Sequence, residues 1–390
     1  MKRIIYFCGM MLLCLNMMAQ IDLDDQNWKC SLNEDFTTPG RYWIDSSFLS
    51  SDSVWKAYSN GLTHGDNKMI YQYSQCHFND TKGYMELVAE YDSTGRIPAH
   101  DYDLPYTVHH YPTYDDLHYF SGRIDHFGKH GADSAKFRYG YFEIQCKLPI
   151  HRGAFPAFWL WYADSISPTN RYYEEIDIFE YSWSFENDDY NLHNNPHPHG
   201  AGNPYCFTTG IYYNDTTSHH HWQNSRARNF PMISDSLSHW HTFACEWLPE
   251  HVIWYCDGNV VNKYYNPDSI PHHPLILKAN YGVDEYALYK YQHYGIPEWT
   301  GCDTMTIDYI NVYQLKCDCD TDEIISRQSE LNCFVFAVKK SISITSAIEP
   351  VSIGDSKKHT FRTTDSFEIT GPFQVDSGGE MTVIMQSCPE

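Results

Sequence analysis

The sequence predicts an all-β protein, made of a large β-sandwich and a second, smaller β domain. After the first 20 residues, no long run places apolar residues at the i, i+3, i+4, i+7 spacing of an amphipathic helix. Short segments rich in β-branched and aromatic residues recur instead, and turn residues separate them. A single sandwich can exceed about 200 residues, so the 390-residue chain has room for one large domain and a small one.

Four segments show the strand pattern most clearly, at 84–89, 140–148, 241–247 and 305–313. The run Leu248-Pro249-Glu250-His251 predicts a turn between two strand-like segments.

The composition changes near Lys316, where aromatic residues become rarer and Ser, Thr and short apolar alternations take over. Residues 334–386 predict five or six short strands with glycine turns. We therefore expect a signal segment at 1–19, a sandwich domain at 20–316 and a small C-terminal β module at 317–390.

The charge balance excludes several classes of partner. The chain has 50 Asp and Glu residues against 27 Lys and Arg, for a net charge of -23. This argues against binding to nucleic acid or to an anionic membrane, both of which require a basic surface. Aromatic residues make up 16% of the chain, which suits a groove that stacks on sugar rings. We expect a polysaccharide partner, no nucleic acid, no membrane insertion and a monomeric protein.

The first residues have the pattern of an export signal. Lys2 and Arg3 precede an apolar run that ends near Ala19. This run is too short to span a bilayer, and a small residue closes it, so we expect cleavage after Ala19. The mature protein should be secreted or periplasmic.

Cysteine usage agrees with an oxidising compartment. Of the 13 cysteines, two leave with the signal segment, and the remaining odd number leaves at least one thiol without an internal partner. We expect one or two disulfides in the C-terminal module, among Cys317, Cys319, Cys333 and Cys388. A zinc site among these cysteines is the alternative, and the lack of a CxxC pair argues against it.

The segment from Glu174 to Tyr181 carries the strongest chemical signal. Glu175 and Asp177 alternate with isoleucines, so a strand would place both acids on one face. Glu180 lies an odd number of positions after Glu175, so a regular strand would bury it in the core at a high cost. One β-bulge near Ile178 and Phe179 returns Glu180 to the acidic face and leaves Phe179 inward.

Such a pair of glutamates suits glycosidic bond cleavage. With the bulge, Glu175 and Glu180 are separated by about 13 Å along the strand, and side chains that lean together reach the ~5 Å separation of a retaining glycosidase. Asp177 between them would tune the pKa values of both. The alternative is a solvated acidic strand, but three like charges on one face repel each other.

Aromatic residues precede the acidic strand. Phe155 and Trp159 have the same strand parity and could stack on pyranose rings. For Trp161, a place in the core is an equal alternative.

Several motifs together resemble glycoside hydrolase family 16, in the bulged, laminarinase-like form. The acidic strand looks like the signature of that family, and its neighbours occur in the family's order. The matching segments lie at 121–124, 139–143, 147–149, 156–160, 240–247, 254–258 and 308–313. The resemblance covers roughly residues 28–315.

The resemblance implies a concanavalin-like jelly-roll β-sandwich and a double-displacement mechanism. By position, Glu175 is the nucleophile, Asp177 the assisting acid and Glu180 the general acid/base, while Trp159 stacks a sugar. Two positions depart from the family, because Phe155 stands where laminarinase-like members often have Trp, and Lys278 stands where many have Asn.

The resemblance requires no cofactor but allows a structural calcium near Glu34, the Gly83 carbonyl and Asp308. The last seventy residues resemble a small β module at the ends of secreted bacterial proteins, for which we expect a spacer or sorting role.

The sequence therefore predicts a retaining endo-glycoside hydrolase of a β-linked polysaccharide, with β-1,3 or mixed-linkage glucan as first choice and galactan as second. Two long loops, at 92–120 and 184–206, should shape the cleft. One alternative is a non-catalytic polysaccharide-binding protein on the same fold. Another is a zinc-dependent hydrolase that uses histidines of two loops, His193, His197, His199, His219, His220 and His221.

Overall fold

The structure is a computed structural model that describes residues 28–38, 42–43, 55–57, 69–79, 81–93, 119–126, 136–151, 153–167, 170–181, 204–214, 225–229, 231–266, 269–283, 300–315, 317–332, 338–354, 358–385 and 388. The expected signal segment, most of the two expected long loops, and the six loop histidines lie outside the described residues.

Two sheets form the larger part of the described fold. The nine-stranded sheet, here called the front sheet, has the order β14-β13-β12-β11-β18-β8-β3-β2, with β9 paired to β18. Its strands are β2 (Tyr42–Trp43), β3 (Trp55–Ala57), β8 (Arg123–His126), β9 (Lys136–Phe137), β11 (Ala154–Ser167), β12 (Asn170–Glu180), β13 (Thr208–Asn214), β14 (Ser225–Asn229) and β18 (Leu275–Val283).

The ten-stranded back sheet has the order β17-β16-β15-β10-β19-β6-β7-β4, with β1 paired to β19 and β5 paired to β6. Its strands are β1 (Trp28–Glu34), β4 (Met69–Tyr71), β5 (Cys76–Asn79), β6 (Tyr84–Tyr91), β7 (Tyr119–Ser121), β10 (Gly140–Lys147), β15 (His241–Leu248), β16 (His251–Cys256), β17 (Asn259–Tyr264) and β19 (Cys302–Leu315). A single 3₁₀ turn, Tyr73–Gln75, precedes β5.

One apolar core lies between the two sheets. Phe158 and Leu160 of the front sheet are fully buried in it, together with Phe142 and Trp254 of the back sheet. Because side chains alternate along a strand, Trp159, between Phe158 and Leu160, points to the opposite side. This side is here called the outer face of the front sheet. That face carries the polar residues discussed below.

The strand predictions are confirmed. The four segments expected to be strands correspond to β6, β10, β15 and β19. The predicted turn joins β15 to β16, which pair from Leu248 opposite His251. The all-β class and the sandwich architecture follow directly from the sequence pattern.

The C-terminal strands form a separate pair of small sheets. Strands β20 (Cys317–Ile325), β21 (Val338–Ile344), β23 (Lys358–Ile369) and β25 (Glu380–Met385) build one sheet, and β22 (Val351–Ile353) and β24 (Phe373–Val375) build the other. All described pairings among them are parallel. A short helix, α1 (Gln328–Asn332), follows β20.

These strands have their own apolar core, which includes Ile342, Ile344 and Phe361. A disulfide joins Cys319 to Cys388, as expected for this module. The side chains of Cys317 and Cys333 lie outside the described residues. Arg362 of β23 forms an ion pair with Glu250, in the turn between β15 and β16. The numerical limits of the two domains stay predictions.

Among the described residues, no helix has the length and apolar character needed to cross a bilayer.

Candidate active site

Strand β12 contains the predicted bulge. Against β11, Asp177 lies opposite Trp159, whereas Phe179 lies opposite Phe158, so Ile178 is an extra residue in the ladder. The pairing with β13 shifts in the same place, between Asp177 and Glu180. The bulge lies where the sequence predicts it. Glu175 and Glu180 are an odd number of residues apart, so only an extra residue between them places both on one face.

The bulge separates acidic from apolar side chains. Ile178 and Phe179 are both buried in the core, which confirms the inward position of Phe179. Glu175 and Glu180 are half-buried, and Asp177 is buried outside the apolar core. All three acids therefore belong to the outer face of the front sheet.

Cross-strand pairing places each acid in a separate row of that face. Glu175 lies opposite Trp161. Asp177 shares its row with Trp159 and Lys278. Glu180 lies opposite Ala157, which in turn lies opposite Asn280. Neighbouring strands are about 4.8 Å apart, so side chains of β11 border the acids directly, and those of β18 lie one strand further along the sheet.

A core residue donates a hydrogen bond to a main-chain carbonyl at the bulge. The carbonyl oxygen of Asp177 accepts a hydrogen bond of 2.8 Å from Trp254 Nε1, on the facing back sheet. Trp254 is fully buried. A buried carbonyl without a partner is costly, so this indole stabilises the irregular backbone at the acidic strand.

The carboxyls of Glu175 and Glu180 interact. Burial and, second, the like charge of Glu180 raise the pKa of Glu175 to about 8. A side-chain hydrogen bond with Asp177 and the positive charge of Lys278 act in the opposite direction on the pKa of Glu175. Ionisation of one carboxyl therefore opposes ionisation of the other. One proton donor beside one carboxylate is the arrangement that glycosidic cleavage requires.

A buried ion cluster borders the acids. Lys278 Nζ lies 2.7 Å from Asp125 Oδ2, and Arg123 binds the same carboxylate through two contacts of 2.8 and 2.9 Å. Burial opposes the charge of Asp125, but the two cations outweigh it and hold its pKa below the ordinary value. The residue before Arg123 must be glycine, because a Cβ at Gly122 would lie 2.5 Å from the Gln75 carbonyl oxygen.

The predicted sugar-stacking residues lie on the outer face. Trp159 is 5% exposed, and its Nε1 donates to Asn280 Oδ1 at 2.7 Å. The Lys278 ammonium lies 5.5 Å from the Trp159 ring centroid and 5.3 Å from that of Trp161. Phe155 is half-buried and lies opposite Gly282. Stacking of sugars on Trp159 and Phe155 stays a prediction.

Sequence reasoning did not assign the ion cluster. Arg123 belongs to a segment that resembles the family, and Lys278 stands where many family members have Asn, but neither fact predicts a contact with Asp125. A sequence signal did exist, because Arg123 and Asp125 alternate around Ile124 as outward-facing residues of one strand do.

Glu34, one of the positions expected near a calcium ion, has protein partners of its own. Glu34 Oε1 accepts the Phe36 N–H at 3.0 Å, and Glu34 Oε2 accepts Trp55 Nε1–H at 3.2 Å. These contacts compensate the buried carboxylate without requiring a cation. A structural calcium near Glu34, the Gly83 carbonyl and Asp308 stays a prediction.

Comparisons with known proteins agree with this geometry. Residues 125–310, just under half of the chain, match the sequence model of glycosyl hydrolases family 16. The chain is 28% identical over 182 residues to the endo-1,3-1,4-β-glycanase ExsH of Rhizobium meliloti, covering 46% of this chain and 31% of that protein. It is 27% identical over 158 residues to a β-glucanase of Rhodothermus marinus, covering 39% and 45%.

The chain thus spans between about a third and a half of the length of these curated relatives. A solved structure of a mutant form of SCLam, a non-specific endo-β-1,3(4)-glucanase, superimposes with a TM-score of 0.50 at 17% identity, covering 74% of this chain and 95% of that one. This likeness concerns the fold. Residues 125–310, which include the bulged acidic strand, are the part of the chain that matches glycosyl hydrolases family 16.

Proposed function

We propose that the protein is a retaining endo-glycoside hydrolase that cleaves internal linkages of a β-linked polysaccharide. The observation that carries the proposal is the bulge at Ile178, which brings Glu175 and Glu180 to one face as an interacting pair. The family match and the β-glycanase relatives support the same reaction class.

The reaction proceeds by double displacement. The Glu175 carboxylate attacks the anomeric carbon, the glycosidic C–O bond breaks, and Glu180 gives its proton to the departing oxygen. Water then attacks the glycosyl-enzyme ester, gives a proton to Glu180 and releases Glu175. In this mechanism Glu180 carries the proton at the first step, and the hydrogen bond with Asp177 and the charge of Lys278 act toward the ionised form of Glu175, against the rise in its pKa that burial and the charge of Glu180 cause.

A glucan with β-1,3 or mixed linkages is the first-choice substrate. The names of the relatives, a 1,3-1,4-β-glycanase and a β-glucanase, support this choice. A galactan is the second choice, because Phe155 and Lys278 replace residues that laminarinase-like members often carry as Trp and Asn.

The proposal is tested with the purified chain on a panel of laminarin, lichenan, mixed-linkage glucan, agarose and porphyran. We expect a ladder of oligosaccharides of several lengths from a glucan at early times, with the β anomer first in the NMR spectrum. Retention of the polysaccharide without any cleavage would identify a non-catalytic binding protein instead. Undiminished cleavage in a chelator would exclude the zinc-dependent alternative.

The role of Glu175 is tested by Glu175→Gln, which should lower turnover by several orders of magnitude because an amide cannot form the covalent ester. Glu143→Gln is the matched control, since Glu143 is a half-buried glutamate of the back sheet. Near-normal turnover in Glu175→Gln would end the assignment.

We also propose that the mature protein acts outside the cytoplasm, in the periplasm or the medium. The signal pattern at residues 1–19 supports this location. The disulfide between Cys319 and Cys388 fits an oxidising compartment. Sequencing of the secreted protein should find Gln20 as its first residue; an intact N-terminus in the cytoplasm would contradict it.

A further inference from the structure

A second cluster of polar side chains lies beside the acidic strand, on the side opposite to the catalytic acids. Glu174 directly precedes Glu175, is fully buried, and lies opposite Tyr162 of β11. A buried carboxylate needs several partners to offset the loss of its hydration. His272 and His273, in the segment that leads into β18, supply such partners.

The main chain of that segment fixes one carboxylate oxygen. Glu174 Oε2 accepts the backbone N–H groups of His272 at 3.0 Å and His273 at 2.9 Å. The preceding Pro271 is held in turn, because its carbonyl oxygen accepts a 2.8 Å hydrogen bond from Trp247 Nε1. The backbone around the two histidines is therefore anchored before any side chain is considered.

The two imidazoles converge on the other oxygen. His272 Nδ1 and His273 Nδ1 each lie 3.1 Å from Glu174 Oε1, and the three atoms lie within 4.8 Å of one another. The His273 ring is stacked on Tyr162, with 5.0 Å between centroids and planes 2° apart. Both ring orientation and carboxylate orientation are thus preset.

We propose that Glu174 Oε1, His272 Nδ1 and His273 Nδ1 form a binding site for a divalent zinc ion. Imidazole nitrogen and carboxylate oxygen are ordinary zinc ligands, with bonds of about 2.0–2.2 Å that place tetrahedral ligands about 3.3 Å apart. The observed nitrogen-to-oxygen separations of 3.1 Å require little rearrangement. Water occupies the fourth position.

Solvent can reach the site. The side chains of His272 and His273 are 51% and 38% exposed, whereas Glu174 is buried behind them. A zinc ion would displace the Nδ1 protons and couple β12 to the segment before β18. Its role is structural, because Glu174 projects away from the face that carries Glu175. The inference is independent of the proposed hydrolase activity.

Metal binding by the purified full chain tests the site. After removal of metals by chelator, the wild type should bind one more equivalent of Zn²⁺ than His272→Ala/His273→Ala, and Zn²⁺ should raise its melting temperature. The control variant His239→Ala removes an exposed histidine that pairs with Asp235, and should behave as the wild type. Histidines elsewhere remain in all three proteins, so their binding cancels in the comparison.

Equal Zn²⁺ stoichiometry and an equal melting shift in the double variant would overturn the proposal, leaving a hydrogen-bonded histidine pair. A second measurement serves if the double variant does not fold. Co²⁺ added to the metal-free wild type should give the intense visible absorption of tetrahedral cobalt, and Zn²⁺ should abolish it. Only weak octahedral absorption in the wild type would equally reject the site.

Discussion

At the scale of single residues, Lys278 is a cation that acts on the pKa of Glu175. Its ammonium group binds Asp125 and lies beside the rings of Trp159 and Trp161. Burial lowers the pKa of Lys278 to about 8, although Asp125 opposes this shift. The charge of Lys278 favours the ionised form of Glu175 and lowers the pKa of that carboxyl.

Lys278→Met should therefore move the pH profile of kcat/KM toward higher pH. Loss of a positive charge favours protonated carboxyls, so the pKa values of the pair increase and both limbs of the profile shift upward, by up to about one pH unit. Lys263→Met, at an exposed lysine of β17, is the control and should leave the profile in place. An unchanged or acid-shifted profile in Lys278→Met would refute the electrostatic role.

The acids were predictable from the sequence, but their cationic partners were not. Glu175, Asp177 and Glu180 lie within six residues, where strand parity can be counted directly. Lys278 and Asp125 are 153 residues apart, and their contact depends on β8 pairing with β18. Strand order of this kind results from long-range pairing, which local alternation does not encode.

At the scale of elements, the bulge in β12 depends on the facing sheet. Trp254 donates its indole N–H to the carbonyl of Asp177, across the core. The parity argument predicted the bulge and its position within one residue. It could not predict Trp254, because the partner of a displaced carbonyl is set by packing between sheets.

Trp254→Phe should impair both folding and catalysis. The variant leaves the Asp177 carbonyl without its donor, at a cost of about 1–3 kcal/mol in the free energy of unfolding. A displaced bulge would also move Glu180, which comes directly after it in β12. We therefore expect kcat to fall by roughly tenfold to a hundredfold.

Trp247→Phe provides a matched control for this prediction. Trp247 is equally buried, and its Nε1 donates to a main-chain carbonyl at the same distance of 2.8 Å, but at Pro271. We expect a similar loss of stability in chemical denaturation with little loss of kcat. Equal effects of the two variants on kcat would show that Trp254 has no special relation to the catalytic strand.

At the scale of the whole molecule, two β structures with different pairing follow each other in one chain. The sandwich is mainly antiparallel, whereas the described strands β20–β25 pair in parallel. Short alternating segments predicted the strands of the C-terminal module, but the direction of pairing leaves no local sequence signal. The cysteines predicted its disulfide, which joins residues separated by 69 positions.

Cys319→Ser should destabilise the C-terminal module without affecting hydrolysis. Loss of a cross-link that closes such a long loop costs about 4 kcal/mol in the chain-entropy account. Calorimetry should show the C-terminal transition at a lower temperature, with the transition of the sandwich and the kcat retained. A parallel loss of activity would mean that the module supports the active site.

The central claim is that Glu175 and Glu180 perform different steps from one face of the sheet. Azide rescue of truncated variants, with an activated aryl β-glycoside as substrate, tests this most directly. In Glu175→Ala, azide enters where the carboxylate stood, and a single displacement yields the α-glycosyl azide. In Glu180→Ala, the ester with Glu175 still forms, and azide opens it to the β-glycosyl azide. The same anomer from both variants, or the two anomers exchanged, would contradict the account.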